Sequence, residues 1–262
     1  MAWNCAELCA DVHCSDWYAF TEMLHRILLA SILILASASG APLLYVVPGT
    51  DLLTAGNTSN PATAPDSFRI QEVFSAEEFG RTVLIQEIAI RAAAGTGPLS
   101  QTFSSLDLFL STTAYSPNTT GGAPLLTNTF ASNAGPDNTL VFSGPTSYSS
   151  PGCPGPSACP FIPFPLTTPF LYDPSHGNLL LDIQAVSTSA SGFVDWQTFA
   201  FPPGGALATV VGNLASATGG VQPAGLIVQF GVTPVPEPSG CALMLAALGA
   251  FGIMRRQHRK AS

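Results

Sequence analysis

The chain has 262 residues, 47% hydrophobic and only 9% charged, with 16 acidic against 8 basic side chains and a formal net charge of -8. That length holds one domain of ordinary size with appendages, and a core large enough to fold unaided. The acidic balance argues against a nucleic-acid binder, which needs a basic face to neutralise phosphates, and the low charge beside high apolar content is not the profile of a charged disordered chain.

The charges are unevenly placed. Arg69, Arg81 and Arg91 are the only cations between residues 41 and 234, a stretch with eleven carboxylates from Asp51 to Asp195 and no lysine. The remaining cations are Arg26, just before an apolar run, and Arg255, Arg256, Arg259 and Lys260 near the other end. Basic ends beside apolar segments, around an acidic middle, point to membrane targeting at both ends.

Residues 1–22 carry four acids, three cysteines and no Lys or Arg. They read as a mis-assigned upstream extension, with Met23 as the true start. Cys5, Cys9, His13 and Cys14 lack the paired C-x-x-C knuckles of structural zinc sites, so no metal centre is expected there. Residues 23–38 have the layout of a secretory signal: Arg26, then the apolar run Ile27 to Leu35, then the small residues Ala36-Ser37-Ala38, with cleavage expected after Ala38.

Residues 39–234 read as the exported domain. Short alternating or apolar runs recur between Pro, Gly, Asn and Ser clusters: Ser67–Phe74, Val83–Arg91, Leu106–Thr112, Leu140–Ser143, Asn178–Val186, Ala206–Asn213 and Gly225–Thr233. Val, Ile, Phe and Thr are frequent in them, and no long helical period is visible beyond one turn over Ser75–Gly80. The fold class is all-β: a single jelly-roll-like β-sandwich of about eight to ten strands.

Within this domain Cys153 and Cys159 lie six positions apart in a Pro/Gly loop, and in an oxidising compartment they are expected to close a small disulfide ring. His176 is the domain's one histidine, and its Asp-Pro-Ser-His-Gly-Asn surroundings read as a turn. No nucleophile-elbow G-x-S-x-G is present, and no Gly-rich phosphate loop links a strand to a helix. Asp107, Asp173, Asp182, Asp195, Glu72 and Glu87 could supply a carboxylate pair for glycoside hydrolysis, though nothing in their spacing selects two. No cofactor is expected. Calcium is the one alternative, through the turn oxygens of Asn133, Asp137, Asn138, Asp173 and Asn178. Tyr115, Tyr148, Tyr172 and Trp196 could stack on sugar rings if they lined one face.

The last segment, residues 235–262, is the most specific. Val235-Pro236-Glu237-Pro238 leads into the apolar run Gly240 to Met254 and then the basic tail Arg255, Arg256, Arg259 and Lys260. The prolines hold the chain extended around one carboxylate, at little ordering cost to a receptor. Fifteen residues make a helix of about 22 Å, short of the roughly 30 Å hydrocarbon core, so 240–254 is expected to be a transient membrane helix. Its basic tail marks the cytoplasmic side. Cys241 within the run is read as an inert apolar-face cysteine.

These three parts, in this order, resemble the PEP-CTERM sorting signal of Gram-negative bacteria. The resemblance implies recognition and processing by an exosortase, a membrane-embedded cysteine transpeptidase-like enzyme, and an association with exopolysaccharide and biofilm. The expected partners are therefore the general secretion machinery, the exosortase, the membrane before processing, and exopolysaccharide, with no nucleic acid. The expected function is that of a non-enzymatic cell-envelope or extracellular-matrix protein with a structural or polysaccharide-associated sandwich. The alternative is a surface carbohydrate-active enzyme that uses two carboxylates.

Overall fold

The computed structural model describes residues 43–49, 53–62, 66–117, 124–198 and 207–235. They belong to one unit, Ala41–Val235. Its strands are β1 (Leu43–Val47), β2 (Thr58–Pro61), β3 (Asp66–Phe74), β4 (Val83–Arg91), β5 (Leu99–Thr113), β6 (Thr139–Ser150) and β7 (Phe161–Tyr172). There follow β8 (Asn178–Ser191), β9 (Phe193–Thr198), β10 (Leu207–Asn213), β11 (Gly220–Gln222), β12 (Ala224–Leu226) and β13 (Val228–Pro234).

The strands form a six-stranded sheet in the order β11-β10-β3-β8-β5-β6, a four-stranded sheet β1-β13-β4-β7 and a three-stranded sheet β12-β9-β2. All strand pairs among the described residues are antiparallel. Only β5–β6 and β10–β11 join neighbours in sequence; the other pairings are long-range. The fold is an all-β sandwich, with the core between the six-stranded sheet on one side and the two smaller sheets on the other. Phe74, Leu99, Leu108 and Leu110 of the first layer meet Ile85, Phe230, Val232 and Trp196 of the second in one apolar cluster.

Period-two alternation explains the layers. In β3, Phe68 and Phe74 belong to that inner cluster, while Val73 belongs to a second cluster on the sheet's outer side. There a four-residue helix α1 (Phe130–Asn133) covers the sheet, and Phe130 packs with Val73, Leu180 and Val210. The turn foreseen over Ser75–Gly80 is a 3-10 turn at Ala76–Glu78, capped by the Ser75 hydroxyl accepting from the Glu77 amide.

The thirteen strands among the described residues exceed the eight to ten expected, for identifiable reasons. The run Gly225–Thr233 is two strands that break at Ile227 and enter different sheets. Strand β7 contains Pro163, Pro165 and Pro169, which read as breaks. It pairs only with β4, at the edge of its sheet, where a missing amide donor costs no ladder bond.

Candidate functional site

The residues singled out in the sequence fall at scattered places. Cys153 and Cys159 form a disulfide with Cα atoms 5.5 Å apart, in the loop from β6 to β7. Most of the loop is exposed, but Cys159 is 3% exposed and part of the inner core. The loop is also held by the Gly95 amide, which donates to the Cys153 carbonyl.

His176 ends a 3-10 turn, Pro174–His176, with its side chain 75% exposed and 3.7 Å from Asp173. Asp173 caps that turn by accepting from the amide and hydroxyl of Ser175, which hold its carboxyl below its ordinary range. The Tyr172 hydroxyl donates to the Gly177 carbonyl and ties the turn down from below.

The carboxylates lie on several strands; register places only Asp107 and Asp182 as near neighbours on one face, with Asp107 opposite Gln184. Asp182 lies on the outer face of β8, where its Oδ1 accepts from Arg69 Nε at 3.0 Å and Gln71 donates to its Oδ2 at 2.9 Å. Arg69 in turn stacks over the Phe130 ring, and Asn133 donates to Gln71. Asp195 lies in β9 between Val194 and Trp196, which both face the interior, so it points outward. The same alternation turns Arg91 outward beside the inward Ile90.

Arg91 and Asp195 pair there under the segment Leu53–Asn57. The Thr54 carbonyl accepts from Arg91, and the Gly56 amide donates to Asp195. Gly56 has no room for a Cβ, which would collide with the Trp196 carbonyl. Asp107 is a surface partner of the Ser143 hydroxyl, and Glu87 sits half-buried on β4.

Glu72 is different. It faces inward from β3, is fully buried, and among the described residues neither carboxyl oxygen has a hydrogen-bond partner. Burial pushes its pKa well above the ordinary 4.5, against a smaller lowering effect from the backbone at Leu226. The carboxyl abuts Gly225, where a Cβ would overlap its Oε1.

Four of the five candidate calcium ligands accept hydrogen bonds within the fold, Asp173 as described above. Asn133 Oδ1 accepts from Thr127, Asp137 from the Thr112 amide, and Asn178 from the Ala76 amide. Tyr172 is buried in the core and Tyr115 packs against the outer cluster, whereas Tyr148 and Trp196 are buried where they line a space between the layers, so the four do not share one face.

Two features had no expectation attached. One is a cavity of about 420 Å³ between the layers, walled by apolar side chains such as Phe68, Phe103, Ile90 and Ile183. Exposed Asp66 and Asn213, with half-buried Asn60 and Ser67, edge it. Near Phe103, Tyr148 donates to Gln101, which donates to Ser187. The other is the outer face of β6-β5-β8. Register places Ser149, Ser100 and Ser191 side by side, and next to them Ser147, Thr102 and Ser189. All six are exposed, and the Ser100 and Ser191 hydroxyls lie 3.1 Å apart. The alternating Ser/Thr of LSQTFSS is the sequence signal for it; the cavity has none.

The predicted cleavage residue Ala38, the motif residues Pro236, Glu237 and Pro238, the run 240–254 and the tail Arg255, Arg256, Arg259 and Lys260 lie outside the described residues. Among the described residues no helix is long and apolar enough to cross a membrane. Val235 is placed: it directly follows β13, and its amide donates to the Thr82 carbonyl. A search of the curated proteins gives no match to the chain. A family model, the PEP-CTERM protein-sorting motif, matches residues 234–260, from the last residue of β13 through the basic tail. The chain thus carries a PEP-CTERM protein-sorting motif at residues 234–260 and is an exported protein sorted by an exosortase.

Proposed function

We propose that the exported sandwich is a non-enzymatic component of the cell envelope or extracellular matrix that associates with polysaccharide. The hydroxyl face of β6-β5-β8 carries this reading. Six Ser and Thr side chains in register offer donors and acceptors without charge, matching the hydroxyls of a neutral glycan. Short hydroxyl side chains lose little rotamer entropy when they bond a ligand. Asp182 and Asp195 are each held in an ion pair with an arginine, which favours binding over hydrolysis by a carboxylate pair.

The test is co-sedimentation of the full chain with the producer's own exopolysaccharide, beside an assay for reducing ends. Binding that is lost in Ser100→Lys with Thr102→Lys, without product release, supports the reading. Undiminished binding in a folded double variant, or release of sugar, overturns it.

A further inference from the structure

We propose that the cavity between the layers binds a neutral single-chain amphiphile, an aliphatic tail under an uncharged polar head. The observation is a failure of closure. Side chains of two packed sheets normally interdigitate at the density of an organic crystal. Toward one end they do so here: Phe74, Leu179 and Phe230 are buried to 0% exposure. Toward the other, Phe68, Ile70, Ile90 and Ile183 also line the space between the layers yet are only half-buried. The layers part there and leave about 420 Å³, a size within the range of ligand pockets, roughly 300–1,000 Å³.

The walls set the tail. Unfilled apolar space forfeits dispersion contacts with every side chain around it, and methylene groups restore them. A sugar would instead lose its hydration to Phe, Ile and Leu walls that return few hydrogen bonds. The polar groups by Phe103, Gln101 and Tyr148, already bond one another and Ser187.

The rim sets the head. It presents Asp66, Ser67, Asn60 and Asn213, and among the described residues no cation lines the cavity. Arg69 and Arg91 are committed to Asp182 and Asp195 on the outer faces of their sheets. A carboxylate or phosphate head would meet the Asp66 carboxylate with no counter-charge, whereas a hydroxyl or ester head can bond the two Asn amides. The site therefore selects for the absence of charge.

The test uses the full chain and the neutral fluorophore N-phenyl-1-naphthylamine, displaced at neutral pH by dodecan-1-ol or by dodecanoate below its micelle concentration. The alcohol is expected to displace the probe at about tenfold lower concentration than the carboxylate. Asp66→Lys, at an exposed rim position, brings the two within about threefold. Ile183→Phe fills the space and weakens probe and alcohol alike by about tenfold, at an unchanged unfolding midpoint.

No probe binding by the folded protein overturns the proposal, as does equal displacement by the two competitors. Undiminished binding in an Ile183→Phe protein that melts like the parent also overturns it, by placing the probe elsewhere, for instance on the apolar run 240–254. If Ile183→Phe does not fold, Asp66→Lys decides: an unaltered preference refutes the assigned rim.

Discussion

Arg91 and Asp195 are 2.6 Å apart, Nε to Oδ2, with side chains 0% and 1% exposed, and 104 residues separate them in the chain. The pair also gathers the Thr54 carbonyl, the Gly56 amide and the Phe161 ring. It joins β4 to β9, which belong to different sheets, and clamps the segment Leu53–Asn57 over them. Removing one partner leaves a buried, uncompensated charge, so Asp195→Ala is expected to cost about 3–5 kcal/mol in urea unfolding. Arg91→Met combined with Asp195→Leu should cost far less than the two single changes together. Additive losses would show that the two side chains act independently.

Glu72 gives the protein a pH dependence of unusual sign. Its folded pKa lies above the ordinary 4.5, so the folded state holds this proton more tightly than the unfolded chain. The stability it contributes is complete below 4.5 and is lost as pH rises through the folded value. Unfolding free energy is expected to fall between mildly acidic and alkaline pH, and Glu72→Gln should flatten that part of the profile. An identical slope in parent and variant would remove Glu72 as its source.

The disulfide closes a ring of six-residue separation, for which loop-closure entropy gives about 2 kcal/mol. Cys153→Ser should cost about that much. Cys159→Ser should cost more, because it places a hydroxyl at a site that is 3% exposed within the apolar core. Thermal melts of the two variants check the order, and thiol titration of the unreduced protein should find neither cysteine of the pair.

Delivery depends on residues outside the sandwich. Glu237→Ala, or deletion of Arg255–Lys260, is expected to leave the protein unprocessed and mislocalised, with a mass that retains residues 239–254. Normal release of either variant would separate sorting from the 234–260 match.

Sequence legibility followed the distance over which each feature is built. Strands β3 and β4 were readable because apolar side chains recur at alternate positions, Phe68 and Ile70 in one, Val83 and Ile85 then Ile88 and Ile90 in the other. The sorting signal was readable because its three parts are consecutive. Strand β7 was hidden because proline is compatible with an edge strand and incompatible with a central one, and strand order is not local information. Arg91 and Asp195, and Arg69 and Asp182, meet across more than a hundred residues, so spacing could not pair them. Glu72 looked like any carboxylate of an alternating strand; only the placement of Gly225 against it shows that it is enclosed. The cavity follows from how far two layers part, which no run of residues encodes.

Strand β13 lies between β1 and β4, paired to both, and its last residue, Pro234, is the first of the matched motif. The four-stranded sheet consequently cannot be completed until the stretch just before the motif has been delivered, since among the described residues β1 has no other strand neighbour. Completion of that sheet is a terminal event: the first described strand waits for the last, while the six-stranded sheet, which contains neither, can pair beforehand. The body is finished, with β1 seated against β13, only when the sorting segment is next in line.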